Sequence, residues 1–576
     1  MLHENDIKEF EVGSFQDLPS LKILDLYSNK ITELEVGSFE NLPSLKTLKL
    51  YDNKIKNIKV GTFRNLSSLT SLHLYQNQIT ELAVGSFQNL PSLENLYLVY
   101  NAISEIKAGT FRNLPTLTYL HLGNNNLQEI QAETFRNLSS LTKLNLAGNN
   151  LKGIPVETFR NLSSLTELYL DNNDIENIDV RVFQDLTSLK KLFMRYNNLK
   201  EIKVGIFQNL SVLSTLYLSY NDIKEIKIGT FENLSSLRYL YLSYNDIKEI
   251  KTGTFGNLSR LEYIYLNGND IEKFQVGSFS DLPSLGYLNL ERNNLKEIRA
   301  ETFENISSLT KIYLNRNKID KIQVGTFDYL PKLTYLNLGD NHLQEIKIET
   351  FRNLSSLTKL YLSSNSLKEI KPGTFRTLPS LQYLYVISNE IKEIQPDTFG
   401  TLPSLKYLFL NSNNITEIKA STFQNLSSLT NLNIQNNDIE KIEEAAFHDL
   451  TSLQTLDLSS NNYKEIKTDT FKKLSSLKHL VLRHNNIEEI KENTFRNLSS
   501  LQNLYLQNNN IEKIEVTALH DLTSLRILYL SDNNITEIKE NTFRNLSSLT
   551  NLYLQNNDIE KIQETAFHDL TSLKTL

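Results

Sequence analysis

Tyrosine is the residue type with the most potential for chemistry in this sequence, because the chain has 27 tyrosines but no cysteine and no tryptophan. A phenol ring combines a large apolar face with a hydroxyl that donates and accepts hydrogen bonds, which suits binding rather than bond-making. The tyrosines form series, since Tyr217, Tyr241 and Tyr265 are 24 residues apart. The lack of cysteine excludes disulfides and thiolate metal sites.

The other reactive residue types do not form a recognisable catalytic site. The sequence lacks the nucleophile-elbow, zinc-protease, phosphate-loop and dinucleotide-binding motifs. The segment Asp171–Asp179 is similar to a calcium loop, but it lacks the glycine and the terminal glutamate at the required offsets. All nine histidines, including His73 and His121, are predicted to be surface residues. We therefore predict no enzyme activity, no cofactor and no metal site.

An unbroken 24-residue repeat determines where the tyrosines lie. From Leu21 to Ser572 the chain divides into 23 full blocks without insertion or deletion, with partial blocks at both ends. The block reads LxxLxLxxNxIxxIxxGTFxxLxSL, where the first leucine is position 1 and the last leucine opens the next block. The alternation around positions 3 to 7 predicts a short strand, and one such strand per block gives a parallel sheet. Stacked blocks bury a continuous core that no single block can bury.

Two positions of the block are almost invariant within the chain. Position 9 is asparagine in all 24 occurrences, and position 19 is phenylalanine in 23 of 24, with Leu519 the exception. We expect the asparagine side chains to form a ladder that binds backbone groups of their own and adjacent turns, since unpaired buried peptide groups cost about 1–3 kcal/mol each. We expect the phenylalanines to stack as a spine on the convex side.

Blocks such as LTYLHLGNNNLQEIQAETFRNLSS, residues 117–140, resemble the leucine-rich repeat family and its typical 24-residue subclass. The resemblance covers the whole chain. It implies an α/β fold class, a curved leucine-rich repeat solenoid with a parallel β-sheet on the concave face. It also implies an extracellular or cell-surface protein, because this subclass includes Toll-like receptors, Slit-like guidance proteins, chaoptin-like adhesion proteins and lymphocyte-receptor-like binders.

The domain organisation predicted is a single solenoid over residues 1–576 without caps. Extracellular members of the family usually carry cysteine-rich caps, which this sequence lacks, and the chain starts and stops inside a repeat. An uncapped solenoid exposes its core at each end. We therefore expect a piece of a longer protein or, as the alternative, a protein that pairs its ends with a partner.

Tyrosine is concentrated on the predicted concave face, at positions 3, 5, 7 and 8, which hold 25 of the 27 tyrosines. The preference of aromatics for strands explains part of this pattern. It explains the clustering in successive blocks less well, and a contiguous aromatic patch is typical of a recognition surface. We predict a ligand site that binds by ring stacking and apolar burial, with the phenol hydroxyls giving direction. Its residues are Tyr169, Phe193, Tyr196, Tyr217, Tyr220, Tyr239, Tyr241, Tyr244, Tyr263, Tyr265 and Tyr287.

The charged residues on the same face indicate which kind of ligand the site could bind. The concave positions hold nine basic and nine acidic residues, and the whole chain has a net charge of −7. No basic stripe for a phosphate backbone results, so a nucleic-acid ligand is disfavoured. We expect a protein or a glycan as the partner. No stretch approaches the ~20 apolar residues needed to cross a bilayer, so no membrane span is predicted.

The sequence contains 13 sequons for N-glycosylation, most of them at position 21. Copying of a block that contains F-x-N-L-S explains their number without any function, but the position is predicted to be exposed and able to accept sugars if the protein is exported. The candidate asparagines are Asn65, Asn137, Asn161, Asn209, Asn233, Asn257, Asn305, Asn353, Asn414, Asn425, Asn497, Asn534 and Asn545.

The function predicted is that of a protein-binding scaffold, as part of an extracellular receptor, adhesion protein or secreted recognition protein. One alternative is a structural or assembly module whose repeats pair laterally. Another is the repeat region of a larger enzyme or signalling protein. The sequence leaves the ligand's identity, membrane attachment and the oligomeric state open.

Overall fold

The computed structural model describes residues 2–400 and 402–576, which form two compact units that meet between Asn289 and Leu290 in the sequence. Each unit is a stack of coils of 24 residues, and each coil contributes one three-residue strand to a parallel sheet. The predicted parallel-sheet solenoid is confirmed for each unit. One continuous solenoid over the whole chain stays a prediction.

In the first unit, each sheet strand covers positions 3 to 5 of its block, and residues 24 apart pair directly, as Tyr217 does with Tyr241. Position 4 points inwards and is buried, whereas positions 3 and 5 point outwards. The strands are Ile23–Asp25, Thr47–Lys49, Ser71–His73, Asn95–Tyr97, Tyr119–His121, Lys143–Asn145, Glu167–Tyr169, Lys191–Phe193, Thr215–Tyr217, Tyr239–Tyr241, Tyr263–Tyr265 and Tyr287–Asn289. Short strands follow at positions 13 and 14: Asn57–Ile58, Glu81–Leu82, Gly153–Ile154, Asn177–Ile178, Glu249–Ile250 and Lys273–Phe274.

The second unit repeats this arrangement. Its sheet strands are Lys311–Tyr313, Tyr335–Asn337, Lys359–Tyr361, Tyr383–Tyr385, Tyr407–Phe409, Asn431–Asn433, Thr455–Asp457, His479–Val481, Asn503–Tyr505, Ile527–Tyr529 and Asn551–Tyr553. Its short strands are Glu297–Ile298, Lys321–Ile322, Glu417–Ile418, Lys441–Ile442, Glu489–Ile490, Lys513–Ile514, Glu537–Ile538 and Lys561–Ile562. Helix is confined, within the described residues, to the 3-10 segments Val156–Phe159 in the first unit and Ala300–Phe303 in the second.

The asparagine ladder is confirmed. The Asn53 side chain accepts a hydrogen bond from the backbone N–H of Ile31, in the preceding turn, at 3.0 Å. Its amide nitrogen donates to the carbonyl oxygens of Leu26, in the preceding turn, and Leu50, in its own turn, at 3.0 and 3.2 Å. One side chain thus satisfies three backbone groups that the end of the strand leaves unpaired. Asparagine fits because its amide is a donor and an acceptor on a short stem.

The phenylalanine spine is also confirmed, and it reveals the curvature within each unit. Phe231 and Phe255 are buried and nearly parallel, with ring centroids 6.3 Å apart. On the sheet face, the parallel rings of Tyr217 and Tyr241 are only 4.4 Å apart. Since the rings in each pair have the same orientation, these separations measure the displacement between turns at two distances from the sheet. The turns diverge towards the phenylalanines, so the sheet lies on the concave side of the first unit.

The second unit has the same geometry. Its sheet-face rings Tyr361 and Tyr385 are 4.4 Å apart, and its spine rings Phe351 and Phe375 are 6.2 Å apart. In both units the core between the two faces consists of leucine and isoleucine side chains that are almost completely buried.

Candidate ligand-binding surface

The first element of the candidate surface is a row of stacked rings at position 5, on strands of the first unit. We call Tyr169, Phe193, Tyr217, Tyr241 and Tyr265 the position-5 row. Successive ring centroids in this row are 4.3, 4.6, 4.4 and 4.5 Å apart, with interplanar angles of 8° to 13°. The in-register pairing of parallel strands imposes this arrangement, because it places identical side chains directly above one another.

The second element is the position-8 row, formed by Tyr196, Tyr220 and Tyr244. Their ring centroids are 4.3 and 4.5 Å apart, with interplanar angles of 11°. These tyrosines lie beyond the strands, in the left-handed backbone region, with φ of 54°, 58° and 55°. Their relative exposures are 50% for Tyr196 and 39% for Tyr220.

The backbone conformation at position 8 indicates whether strand stability alone can account for these tyrosines. A left-handed conformation costs a bulky residue of order 1–3 kcal/mol, and asparagine or glycine adopts it more easily. Some other blocks follow that preference, for example at Asn124 and Asn172, with φ of 51° and 55°, whereas Arg292, Arg316 and His484 show that this turn also accepts large polar side chains. The strand preference of aromatic residues therefore explains the position-5 row but not the position-8 row.

The position-8 row ends at a glycine, which occupies position 8 of the block after Tyr244. A Cβ atom added to Gly268 would lie 2.6 Å from the ring of Tyr244, far inside van der Waals contact. Gly268 also has a positive φ of 69°, which glycine adopts without steric cost. The ring of Tyr244 therefore packs against the backbone of the next turn instead of against a fourth side chain.

A third, shorter row occupies position 3, where Tyr239 and Tyr263 stack at 4.8 Å. Tyr287 joins it at an angle, with its ring 5.7 Å from Tyr263 and 4.9 Å from Tyr265. The structure thus brings together all eleven aromatic residues predicted for the site, as three parallel rows on one face of the first unit.

Between the position-5 and position-8 rows run the small side chains of position 7, and we call this strip between the two rows the furrow. Its floor consists of Ser219 and Ser243, which are buried, and Asn267, and the Ser243 hydroxyl donates to Oδ1 of Asn267 at 2.6 Å. At one end, the Arg195 guanidinium lies 5.0 Å from the Tyr217 ring centre, a cation–π distance, and pairs with Asp171 at 3.2 Å. The furrow is therefore polar at its floor and aromatic at both walls.

Ring stacking within the rows changes the expected mode of binding. Both faces of Tyr217, Tyr241 and Tyr220 are covered by neighbouring rings, so the expectation that a ligand stacks on these faces is wrong for them. What these rings can present to a ligand is their edges and hydroxyls. Burial, together with the neighbouring hydroxyls of Tyr217 and Tyr265, raises the pKa of Tyr241, so its hydroxyl remains a neutral donor and acceptor at physiological pH.

Charged side chains border the surface on the side of Tyr169. Glu167 accepts a hydrogen bond from the Tyr169 hydroxyl at 2.7 Å and lies 3.3 Å from both Lys143 and Lys191. Burial raises the pKa of Glu167, but hydrogen bonds from Tyr169, Lys191 and Lys143 outweigh burial, and the net result is a lowered pKa. This border is an internally paired network rather than a free charge.

Aromatic stacking also occurs outside the predicted site, which the clustering argument did not anticipate. Tyr27, Tyr51 and Tyr75 stack at position 7, with centroids 4.5 and 4.3 Å apart. In the second unit, Tyr361 and Tyr385 continue to Phe409 at position 5. Beside the latter row, Tyr383 and Tyr407 stack at position 3, with centroids 4.5 Å apart. Single and double rows therefore also occur elsewhere in this chain. The predicted site differs from them because three rows lie side by side.

The other sequence predictions have mixed outcomes. All 13 sequon asparagines are exposed, as expected. His73 and His121 are half-buried on the sheet face rather than exposed, and burial lowers the pKa of both, that of His121 to about 4.

In the part of the chain that the structure describes, no cluster of acidic or histidine side chains could hold a metal ion, and no helix is long and apolar enough to cross a membrane.

Comparison with known sequences identifies a protein family whose model matches this repeat. A family model described as "Leucine rich repeat" matches the chain in overlapping segments from end to end. These segments are 1–55, 43–103, 91–151, 140–199, 187–247, 241–295, 287–343, 333–391, 384–439, 408–463, 427–487, 452–511, 475–535, 499–559 and 523–576. No curated protein sequence matches the chain.

Solved structures give a consistent picture. The chain is similar to the TLR13–ssRNA13 complex structure, with 26% identity, a TM-score of 0.51, and coverage of 99% of this chain and 90% of that one. It is similar to the Leptospira interrogans LRR protein LIC12759, with 25% identity, a TM-score of 0.56, and coverage of 70% and 100%. The PEPR1–AtPEP1 structure, with 23% identity, a TM-score of 0.54 and coverage of 97% and 79%, shares the fold.

Proposed function

Because the chain belongs to the leucine-rich repeat family, we propose that it is an extracellular binding scaffold that holds a protein or glycan ligand in the furrow of its first unit. The ligand would contact the position-5 row on one side and the position-8 row on the other. The role is that of a receptor ectodomain, an adhesion protein or a secreted recognition protein.

The observation that carries this proposal is that the tyrosines at position 8 have a left-handed backbone conformation. Tyr196, Tyr220 and Tyr244 occupy a backbone conformation that disfavours large side chains, and two of them are 50% and 39% exposed. Residues that carry local strain and expose aromatic surface are more common at binding sites than in purely structural positions. Tyrosine also loses few rotamers on binding, which favours it in recognition surfaces.

The geometry indicates how the ligand would be held. Covered ring faces leave apolar ring edges and hydroxyls as the contacts, so affinity would come from edge packing and hydrogen bonds with neutral phenols. Arg195 is already paired with Asp171, and Glu167 with two lysines. Binding should therefore depend only weakly on salt.

The exposed sequons support an extracellular location as part of the proposal, because most of them lie at position 21, away from the sheet strands, where glycans would leave the sheet face free. The TLR13 structure, which shares 26% identity with this chain over 99% of its length, contains an RNA. An RNA ligand remains an outcome of the test, although nine basic and nine acidic residues on the predicted sheet face provide no basic stripe.

The experiment is a binding screen with a glycan array, a library of secreted proteins and single-stranded RNA, followed by variants of the furrow. The double variant Tyr220→Asn with Tyr244→Asn removes the exposed wall while installing a residue that position 8 accepts elsewhere. We expect it to weaken ligand binding by well over tenfold, on the order of 2 kcal/mol for lost aromatic contacts.

The matched control is Tyr100→Asn, at the same block position but outside the furrow. The pair Tyr241→Phe with Tyr265→Phe tests the hydroxyls separately. A ligand whose affinity ignores all of these variants would refute the furrow as the site. Concentration-dependent mass of the free protein in solution, without any ligand, would instead favour the lateral assembly module.

A further inference from the structure

The position-8 row has a second property that does not depend on a ligand. It is a stack of three phenols in which the outer rings, Tyr196 and Tyr244, are 4.3 and 4.5 Å from the central ring of Tyr220. The row is accessible to solvent and lies outside the hydrogen-bonded strands. The chain has no cysteine, no tryptophan and two methionines, so tyrosine is the main residue type that gives up an electron readily.

We propose that Tyr196, Tyr220 and Tyr244 are a site of oxidative cross-linking, at which a one-electron oxidant joins neighbouring turns through a dityrosine bond. The oxidant class is a haem peroxidase with hydrogen peroxide. The site would be a covalent modification site in a chain that cannot form disulfides.

The chemistry balances with that oxidant. Each of two neighbouring phenols loses one electron and one proton and becomes a phenoxyl radical. The two radicals join by a carbon–carbon bond between the ring carbons next to the oxygens, and the ring hydrogens at those carbons move to the oxygens as the rings become aromatic again. In total, two electrons and two protons leave, and they reduce one hydrogen peroxide to two waters.

The geometry favours this row over the position-5 row. Bond formation requires two stacked rings to rotate until their edges meet, which needs free space around them. Tyr220 and its neighbours protrude from a turn, whereas Tyr217 and Tyr241 are half-buried on strands and packed on both faces. Tyr220 is also the only member of its row that has a tyrosine on both sides, so one residue controls both links.

The chain contains a matched control. Tyr100 occupies position 8 with the same left-handed backbone, a φ of 56°, and is 58% exposed. Its neighbours at position 8 in the adjacent blocks are Gln76 and Asn124. Tyr100 is therefore open to the same oxidant but has no phenol to join within its row, and it can form dityrosine only with another molecule or after a larger movement.

The experiment treats an equal mixture of unlabelled and nitrogen-15-labelled full-length protein with peroxidase and hydrogen peroxide. Tryptic peptides then separate Tyr196, in residues 196–200, from Tyr220 and Tyr244. We expect linked peptides of uniform isotope composition joining Tyr220 to Tyr196 or to Tyr244. At a protein concentration of about 10 μM, their yield should exceed Tyr100-containing links on the order of 100-fold, because neighbouring side chains have effective concentrations in the millimolar range.

The variant Tyr220→Phe should abolish both links, since phenylalanine keeps the stack but cannot form a phenoxyl radical. The variant Tyr100→Phe should leave both links at the wild-type yield. Mixed isotope composition in the Tyr220 links would overturn the proposal, because the coupling would then be intermolecular. A yield at Tyr220 equal to that at Tyr100, or links from Tyr196 and Tyr244 to other residues that persist at full yield in Tyr220→Phe, would overturn it as well.

Discussion

The side chain of Asn485 accepts no hydrogen bond from the backbone of Tyr463, although asparagines at position 9 of other blocks accept one from this position of the preceding block. The Asn485 amide nitrogen still donates to the carbonyls of Leu458 and Leu482 at 3.1 and 3.0 Å. Its oxygen is buried without a partner among the described residues, as is the Tyr463 hydroxyl. Tyr463 occupies a core position that is isoleucine or leucine in the other blocks, so the larger side chain interrupts the ladder locally.

This interruption leads to the first prediction, that Tyr463→Phe stabilises the protein. The variant removes an unpaired buried hydroxyl and keeps the ring, so the free energy of unfolding should rise by about 1 kcal/mol. Urea denaturation measures the change. The control Tyr329→Phe, at an exposed tyrosine of the same unit, should change it by less than ~0.5 kcal/mol. A loss of stability in Tyr463→Phe would mean that the hydroxyl has a partner.

The intact ladder predicts the opposite effect for Asn245→Ala. The Asn245 side chain accepts from the Ile223 N–H at 3.1 Å and donates to the carbonyls of Leu218 and Leu242 at 3.1 and 3.0 Å. Its removal leaves buried peptide groups unpaired, which should lower the free energy of unfolding by roughly 1–3 kcal/mol. Asn126→Ala, at an exposed position, is the control in the same denaturation series and should be neutral. Equal effects of the two variants would contradict the role assigned to position 9.

The half-buried His121 predicts a dependence of stability on pH. Burial lowers the pKa of His121 to about 4, whereas an unfolded histidine titrates near 6.5. The unfolded chain therefore takes up a proton first as the pH falls, and the stability contributed by neutral His121 is lost between about pH 6.5 and pH 4. The Gly123 N–H donates to its Nδ1 at 3.2 Å, a bond that the protonated ring cannot accept.

The loss by pH 4.5 should be on the order of 1–2 kcal/mol for this group, because its partial exposure to solvent reduces the effect. His121→Tyr, which installs the commonest aromatic residue of position 5, should reduce the difference between urea denaturation curves at pH 7 and pH 4.5 by that amount. If the wild type and the variant respond identically to pH, His121 titrates normally in the folded protein.

The exposed sequons predict a glycosylation pattern. When the chain is secreted with a supplied signal peptide, glycans should occupy asparagines such as Asn233 and leave the sheet face bare, because these asparagines are exposed on other sides of the coil. Mass spectrometry of glycopeptides measures the occupancy. Ser235→Ala should remove the glycan at Asn233 alone. Absence of glycans at all 13 sequons would show that the asparagines are inaccessible to the transferring enzyme.

The sequence predicted most of the fold because every element recurs at a fixed spacing. Asparagine at position 9 predicted the ladder and phenylalanine at position 19 predicted the spine, because a residue that recurs in nearly every block is expected to have the same structural role in each of them. The sequence could not show that Tyr217 and Tyr241 cover each other's faces, because that depends on side-chain orientation and on the distance between turns. It also could not show that position 8 is left-handed, which makes Tyr220 more informative than any tyrosine on a strand.

The sequence also could not show that Tyr463 interrupts the asparagine ladder. Its spacing identifies it as a core residue, but spacing does not reveal whether a larger side chain fits without moving the backbone. The half-burial of His73 and His121 has the same origin, since it depends on neighbouring side chains. The Tyr97 ring lies 4.7 Å from that of His73, and the Asn145 amide nitrogen lies 3.4 Å from Nε2 of His121.

The asparagine ladder has a mechanical consequence. Asn245 fastens its own turn to the turn before it, through Leu218 and Ile223, and to no turn further away. Under tension, the terminal coil of such a unit would detach first, while the coils next to it keep their own asparagine hydrogen bonds. Each release would lengthen the chain by one block of 24 residues, about 80 Å when drawn straight. Such a molecule yields to force in many small, equal steps instead of one large rupture.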